Sequence, residues 1–246
     1  MYVNTSGLVL RETPYKDSSK ILTILTAHEG KLTASAHGAL RKNSKMAGAT
    51  QALAFSEMTL YSNRNRWTLS EARSVEQFIG LRADISLLSL SAYFAELAEA
   101  VADEDSPNEQ LLPLCLNALY ALSEGLKTPA FVKPAFEFRL MAISGFSPRV
   151  ACCCVCGNEQ PERSDIDLSG GTLTCVACNA NANALGIGTL KAIRYIINCD
   201  SKKLFSFSLS DSAQRELAIM AERYLLAHLD RNFRTLDYYH KIEGIK

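Results

Sequence analysis

The stretch VACCCVCGNEQPERSDIDLSGGTLTCVACNAN, which begins at Val150, holds six of the chain's eight cysteines. Their spacing selects a chemistry. Cys153 and Cys156 form one Cys-x-x-Cys, Cys175 and Cys178 form a second, and the eighteen residues from Gly157 to Thr174 lie between them, the separation expected of a four-thiolate zinc ribbon. Each pair has small or turn-forming residues directly after it, Gly157 in one case and Asn179-Ala180 in the other, so both can sit on tight turns that bring four sulfurs into a tetrahedron. Cys152 competes for the place of Cys153, but only Cys153 and Cys156 reproduce the two-residue gap of the second pair. A redox reading needs one Cys-x-x-Cys at the start of a helix in a βαβ setting, and none is visible. A closed four-sulfur site leaves no coordination position for water or substrate, so the expectation is one structural Zn²⁺ ion and no metal catalysis.

A second set of residues is cationic. Lys16 lies in the turn-rich segment 13–18, Arg41, Lys42 and Lys45 in 39–45, and Arg64 and Arg66 in 62–66. Cations on flexible stems, repeated along connections and free of any base-reading geometry, suit a phosphate backbone. Any one of them read alone is equally a solvated loop charge, and the clustering is what favours DNA. Tyr61 and Trp67 flank the 62–66 segment and would stack on bases, although alternation along the strand favours a core place for Trp67. His28, His37, His228 and His240 are scattered without a carboxylate or nucleophile at motif spacing. Gly186-Ile187-Gly188 lacks the remaining glycine of a dinucleotide fingerprint, and no phosphate-loop motif occurs. No catalytic residue is assigned, and the chain is expected not to be an enzyme.

The elements that must hold these residues follow from periodicity. Five short runs rich in β-branched and apolar residues, 6–12, 19–27, 31–37, 55–61 and 67–73, are divided by turn chemistry at Thr13-Pro14, Glu29-Gly30 and Ser62-Asn63. They predict a small closed barrel of the oligonucleotide-binding (OB) type, with a split sandwich as the rival. In an OB barrel the ligand lies across strands 2 and 3, between the loops after strands 1 and 4, which are the loops that carry Lys16, Arg64 and Arg66. From about Gln77 the period turns helical: Ile85, Leu88, Ala92, Phe94, Leu97 and Val101 outline one face up to an acidic, proline-marked break at 103–108. A second helix carries Leu112, Cys115, Leu116, Leu119 and Leu122. A third opens at Thr128-Pro129 and stops near Gly145. Beyond the cysteines, Gly188-Thr189 starts a helix through Ile193, Ile196 and Ile197, and Ser210-Asp211 caps a long one through Leu217, Met220, Tyr224 and His228. The predicted class is α+β and multidomain: an OB barrel over 1–78, then an all-helical domain over 79–246 with a zinc ribbon inserted at about 150–182.

Composition is that of an ordinary soluble protein, with 26 Lys+Arg against 26 Asp+Glu, yet the zero net charge hides an asymmetry. Residues 1–80 carry ten Lys+Arg and six Asp+Glu, whereas 81–150 carry five and nine. The basic balance therefore belongs to the barrel. The first twenty residues show no basic-then-apolar signal pattern, no stretch approaches a membrane span, and cysteines in a metal-type pattern fit a reducing cytoplasm.

The sequence resembles the RecO family, bacterial recombination mediators of the RecFOR repair pathway. The resemblance rests on Ile21-Leu22-Thr23-Ile24-Leu25-Thr26 leading into His28-Glu29-Gly30-Lys31-Leu32, on Gly38-Ala39-Leu40-Arg41-Lys42 with Ser44 and Gly48, on Leu69-Ser70-Glu71-Ala72, and on the two cysteine pairs in order. It implies an OB barrel, a helical body and a zinc-binding insert. It also implies non-catalytic binding of single- and double-stranded DNA, annealing of complementary strands, and binding to the acidic C-terminal tail of the single-stranded DNA-binding protein (SSB). Action with RecR to load RecA, in the bacterial cytoplasm at the nucleoid, follows from the same resemblance. Arg41 and Lys42 are the DNA contacts it favours most, and Lys133, Arg139 or the C-terminal helices are the sources of positive charge for an acidic tail. Cys152 and Cys154 go beyond the four thiols it implies. Two rival classes make separate predictions: a zinc-ribbon transcription or RNA-binding module would prefer a particular promoter or structured RNA, and an oxidoreductase would turn over a thiol substrate.

Overall fold

The computed structural model describes residues 1–64, 66–104, 106, 109–182 and 184–244. Asn65 of the 62–66 loop and residues 105, 107 and 108 of the expected 103–108 break lie outside the described residues.

Strands β1 (Tyr2–Tyr15), β2 (Ser19–Thr26), β3 (Lys31–Ala36), β4 (Phe55–Asn63) and β5 (Arg66–Glu76) close a barrel in the order β1-β2-β3-β5-β4. β1 is long because it serves two neighbours. Its first half pairs antiparallel with β4, Tyr2 opposite Tyr61, and its second half with β2, Tyr15 opposite Ser19. A register shift between Val9 and Arg11 bends it from one neighbour to the other. β3 and β5 close the barrel in parallel, Ala34 opposite Trp67. Alternation fills the interior with Val9, Leu22, Ile24, Leu32, Ala34, Met58, Leu60 and Leu69. Trp67 packs against this core, the inward place favoured for it by its position on the strand.

After a 3₁₀ turn at Ile79–Ala83 come α1 (Ile85–Val101), α2 (Leu111–Ser123), α3 (Pro129–Ile143), α4 (Ile187–Asn198), α5 (Asp211–Leu229) and α6 (Arg234–Glu243). The caps follow local chemistry: Asp84 accepts from the Ser86 N–H, Ser210 accepts from the Ala213 N–H, and Pro129 occupies the first turn of α3. The chain forms two compact units, Met1–Glu124 with Phe233–Lys246, and Gly125–Asn232. In the first, α1 lies against the barrel, and Arg11 of β1 meets Glu99 at 2.8 Å while Lys31 Nζ donates to the Glu99 carbonyl. α6 packs on α1, with Phe233 edge-on to Tyr93 at 5.9 Å and the Thr235 N–H donating to Glu96.

In the second unit, α3, α4 and α5 pack together, and a three-stranded antiparallel sheet, β6 (Arg163–Ile166), β7 (Leu173–Cys175) and β8 (Leu185–Gly186), leads straight into α4. α3 is buried along most of its length and carries its charges with it. Lys133 lies 2.7 Å from both Glu137 and Glu222, and Arg139 donates to the carbonyls of Ile196 and Ile197. Burial pulls the Lys133 ammonium down, but the two carboxylates outweigh it and leave its pKa raised. Neither Lys133 nor Arg139 is therefore an exposed contact for an acidic tail, because each is already buried and paired.

Candidate metal centre and nucleic-acid interface

Two turns and a strand end assemble the cysteines. The Cys153 N–H donates to the Asn158 carbonyl, and the Gly157 N–H returns to the Cys153 carbonyl at 2.9 Å, closing a knuckle around Cys153 and Cys156. Gly157 sits at φ +74°, where a side chain is disfavoured, so the glycine after the first pair is a backbone requirement. Cys175 ends β7, and its carbonyl accepts from the N–H groups of Cys178 and Asn179 to form the second knuckle. The Cys154 N–H donates to the Leu173 carbonyl and so locks the first knuckle to β7. α4 fixes the approach: Arg194 donates from Nε to the Val150 carbonyl at 2.6 Å and from Nη2 to that of Ala151 at 2.8 Å.

The result is a group of four sulfurs, Cys153, Cys156, Cys175 and Cys178, all within 4.8 Å of one another. Cys152 and Cys154 are not members of it. Backbone N–H groups of Cys156, Val155 and Cys175 converge on the Cys153 sulfur and bring its pKa down to about 6. Facing the sulfurs of Cys156, Cys175 and Cys153, the Cys178 thiol is pushed up to about 12. Four thiols in one place resist ionising together, and a divalent cation removes that conflict. Donor type, number and spacing all fit a metal ion.

The barrel presents the second feature. Of the ten Lys and Arg in residues 1–80, Arg11, Lys20 and Arg73 are paired with Glu99, Glu12 and Glu57, and Lys31 is bound to the Glu99 carbonyl. The remaining six are Lys16, Arg41, Lys42, Lys45, Arg64 and Arg66. All six are exposed, and among the described residues none is paired with a carboxylate. Register places them in two groups. The Leu40 N–H donates to the Ser18 carbonyl at 3.0 Å, tying the segment of Arg41, Lys42 and Lys45, which leaves the end of β3, to the β1–β2 turn that holds Lys16. The β4–β5 hairpin with Arg64 and Arg66 precedes the point where Trp67 of β5 pairs with Ala34, on the side toward the start of β3, since β5 runs parallel to it. Between the groups β3 turns Lys31, Thr33 and Ser35 outward.

Comparison with known proteins decides the family. Residues 1–78 match the family model for the N-terminal part of recombination protein O, and residues 82–237 match that for its C-terminal part. The chain belongs to the RecO family. It is 32% identical over its full length to a DNA repair protein RecO of Acetivibrio thermocellus, covering 99% of that protein. A RecO of Caldicellulosiruptor bescii is 31% identical over 98% of the chain and 99% of its own length. One of Alkaliphilus metalliredigens is 29% identical over 98% and 100%. RecO membership supports a role in DNA repair. Among the described residues no helix is long and apolar enough to cross a membrane.

Spacing alone does not reveal Arg194, which braces the first knuckle from a helix about forty residues on. It equally misses Glu216, whose carboxylate takes the Arg163 guanidinium of β6 at 3.0 Å, the Gly186 N–H of β8 at 2.8 Å and the Thr189 hydroxyl of α4 at 2.6 Å. Nothing in the local sequence marks either residue, because their partners are set by tertiary packing.

Proposed function

We propose that the chain is a non-catalytic recombination mediator that binds single- and double-stranded DNA on its barrel loops and anneals complementary strands. With RecR it helps load RecA onto DNA coated by SSB, whose acidic C-terminal tail it binds. It works in the bacterial cytoplasm at the nucleoid. One observation carries the DNA part: among the described residues, six exposed barrel cations have no carboxylate partner, beside four others that are engaged within the fold. Phosphate contact needs positive charge without a fixed geometry toward base edges, and such contacts release counterions, so binding is tolerant of sequence and steep in salt. Annealing follows from the same charge, since neutralised phosphates let two strands approach. The partners RecR, SSB and RecA rest on family membership.

The proposed metal is one Zn²⁺ held by Cys153, Cys156, Cys175 and Cys178. Bound there, it would supply folding free energy to the ribbon and leave no open position for chemistry. Its support is the closed set of four thiolates, the donor set that selects zinc or an iron–sulfur centre, in a ribbon of only nine strand residues that has little core of its own.

The test is an annealing assay. Two complementary oligonucleotides carrying a donor and an acceptor dye are mixed with and without the protein. Annealing well above the spontaneous rate, insensitive to sequence and lost on raising salt from about 50 to 200 mM, is the expected result. Acceleration confined to one sequence would contradict the proposal.

A further inference from the structure

The barrel strands carry three tyrosines, Tyr2, Tyr15 and Tyr61, and all three rings face solvent, with exposures of 68%, 43% and 36%. Tyr15 stands beside an unpaired cation, and Tyr61 lies on the strand that leads to another. Tyr15 ends β1 next to Lys16, whose Nζ lies 5.1 Å over the ring. Tyr61 lies opposite Tyr2 in the β1–β4 register, their ring centroids are 5.0 Å apart, and Arg64 follows at the tip of the same hairpin. The two cations share a backbone property. Lys16 has φ +54° and Arg64 φ +49°, the left-handed region in which glycine is favoured over any side chain. Two hairpin tips thus hold a cation in strained backbone, Lys16 over the Tyr15 ring and Arg64 at the end of the strand that carries Tyr61, and strain retained at a surface is a pointer to function.

We propose that the two tips are base-stacking platforms for unpaired nucleic acid. A base lies on Tyr15 at one tip and on the Tyr2–Tyr61 pair at the other, with the adjoining phosphates against Lys16 and Arg64. A duplex keeps its base faces covered by stacking, so these rings distinguish a single strand from a double one, which the other barrel cations do not. Unlike Trp67, which packs against the core, the tyrosines are free to do this. The proposal rests on the reading that DNA lies on the barrel loops.

The test compares a labelled oligothymidine with an abasic strand of equal length and charge, by fluorescence anisotropy at matched salt concentrations across a salt series. The wild type is expected to bind oligothymidine about tenfold more tightly. Tyr15→Ser and Tyr61→Ser should each weaken oligothymidine binding by about fivefold or more, the fold-change that corresponds to about 1 kcal/mol, and leave the abasic strand within about twofold. Tyr15→Phe should bind as the wild type does. Lys16→Gly should weaken both strands while the unfolding temperature stays level or rises, because glycine relieves the left-handed strain. Equal binding of both strands by a wild type that still responds steeply to salt would overturn the stacking proposal and leave the phosphate reading intact. Failure to bind either strand would remove the reading and the proposal together.

Discussion

At the level of single residues the cysteines were the most legible part of the chain, because a cluster built from two Cys-x-x-Cys turns is written in local spacing. Two Cys-x-x-Cys turns and the interval between them point to the four sulfurs that lie within 4.8 Å of one another, while the place of Cys152 and Cys154 outside that group is read from the structure. The barrel cations were legible as to position but not as to pairing. Sequence could not tell that Arg11, Lys20, Lys31 and Arg73 are engaged while, among the described residues, the other six have no carboxylate partner, since the deciding groups include Glu99 of α1, 88 residues from Arg11. The metal proposal makes a direct prediction at this scale. Purified protein should carry one equivalent of zinc, and Cys152→Ser and Cys154→Ser should retain it. Serine at Cys153, Cys156, Cys175 or Cys178 should lose it and lower the unfolding temperature of the ribbon. Full zinc in a Cys175→Ser variant would contradict this ligand set.

Among the elements, the five barrel strands and the first five helices follow the expected periods, while two kinds of element escaped. β6, β7 and β8 have four, three and two residues, too few for alternation to register. α6 is short and mostly polar, with Leu236 and Tyr239 as its buried side chains, and its place on α1 depends on residues far away in sequence. Glu216 of α5 ties ribbon strands β6 and β8 to α4 through Arg163, Gly186 and Thr189. Burial pushes its carboxyl up, but donation from Gly186, Thr189 and Arg163 outweighs this and leaves the pKa below the ordinary value. A carboxyl whose folded pKa is depressed stabilises the fold above its unfolded value, near 4.3, and loses that contribution as pH falls toward and through the folded value. Glu216→Gln should therefore cost about 1–2 kcal/mol at pH 7 and distinctly less at pH 4. Thermal unfolding of both proteins at the two pH values checks this, and an equal loss at both would show that the charge on Glu216 does not contribute.

For the whole molecule, net charge and its distribution point in different directions. A net charge of zero argues against a nucleic-acid partner, whereas the regional balance and the pairing of individual charges argue for one. The chain's division is similarly two-layered: the family models meet between residues 78 and 82, but the compact units are Met1–Glu124 with Phe233–Lys246, and Gly125–Asn232. A return of the chain such as α6 makes is a long-range event, and no local pattern announces it. The central claim, that the unpaired barrel cations hold DNA through phosphates, is tested most directly by the salt dependence of binding. Anisotropy of a labelled mixed-sequence single strand should give a slope of log K against log salt of about −4 if all six cations engage, each contact contributing about 0.7. Arg41→Ala/Lys42→Ala should bind more weakly and flatten the slope by about 1.4. A slope unchanged by the double substitution, with affinity retained, would contradict the claim and move the DNA to another surface.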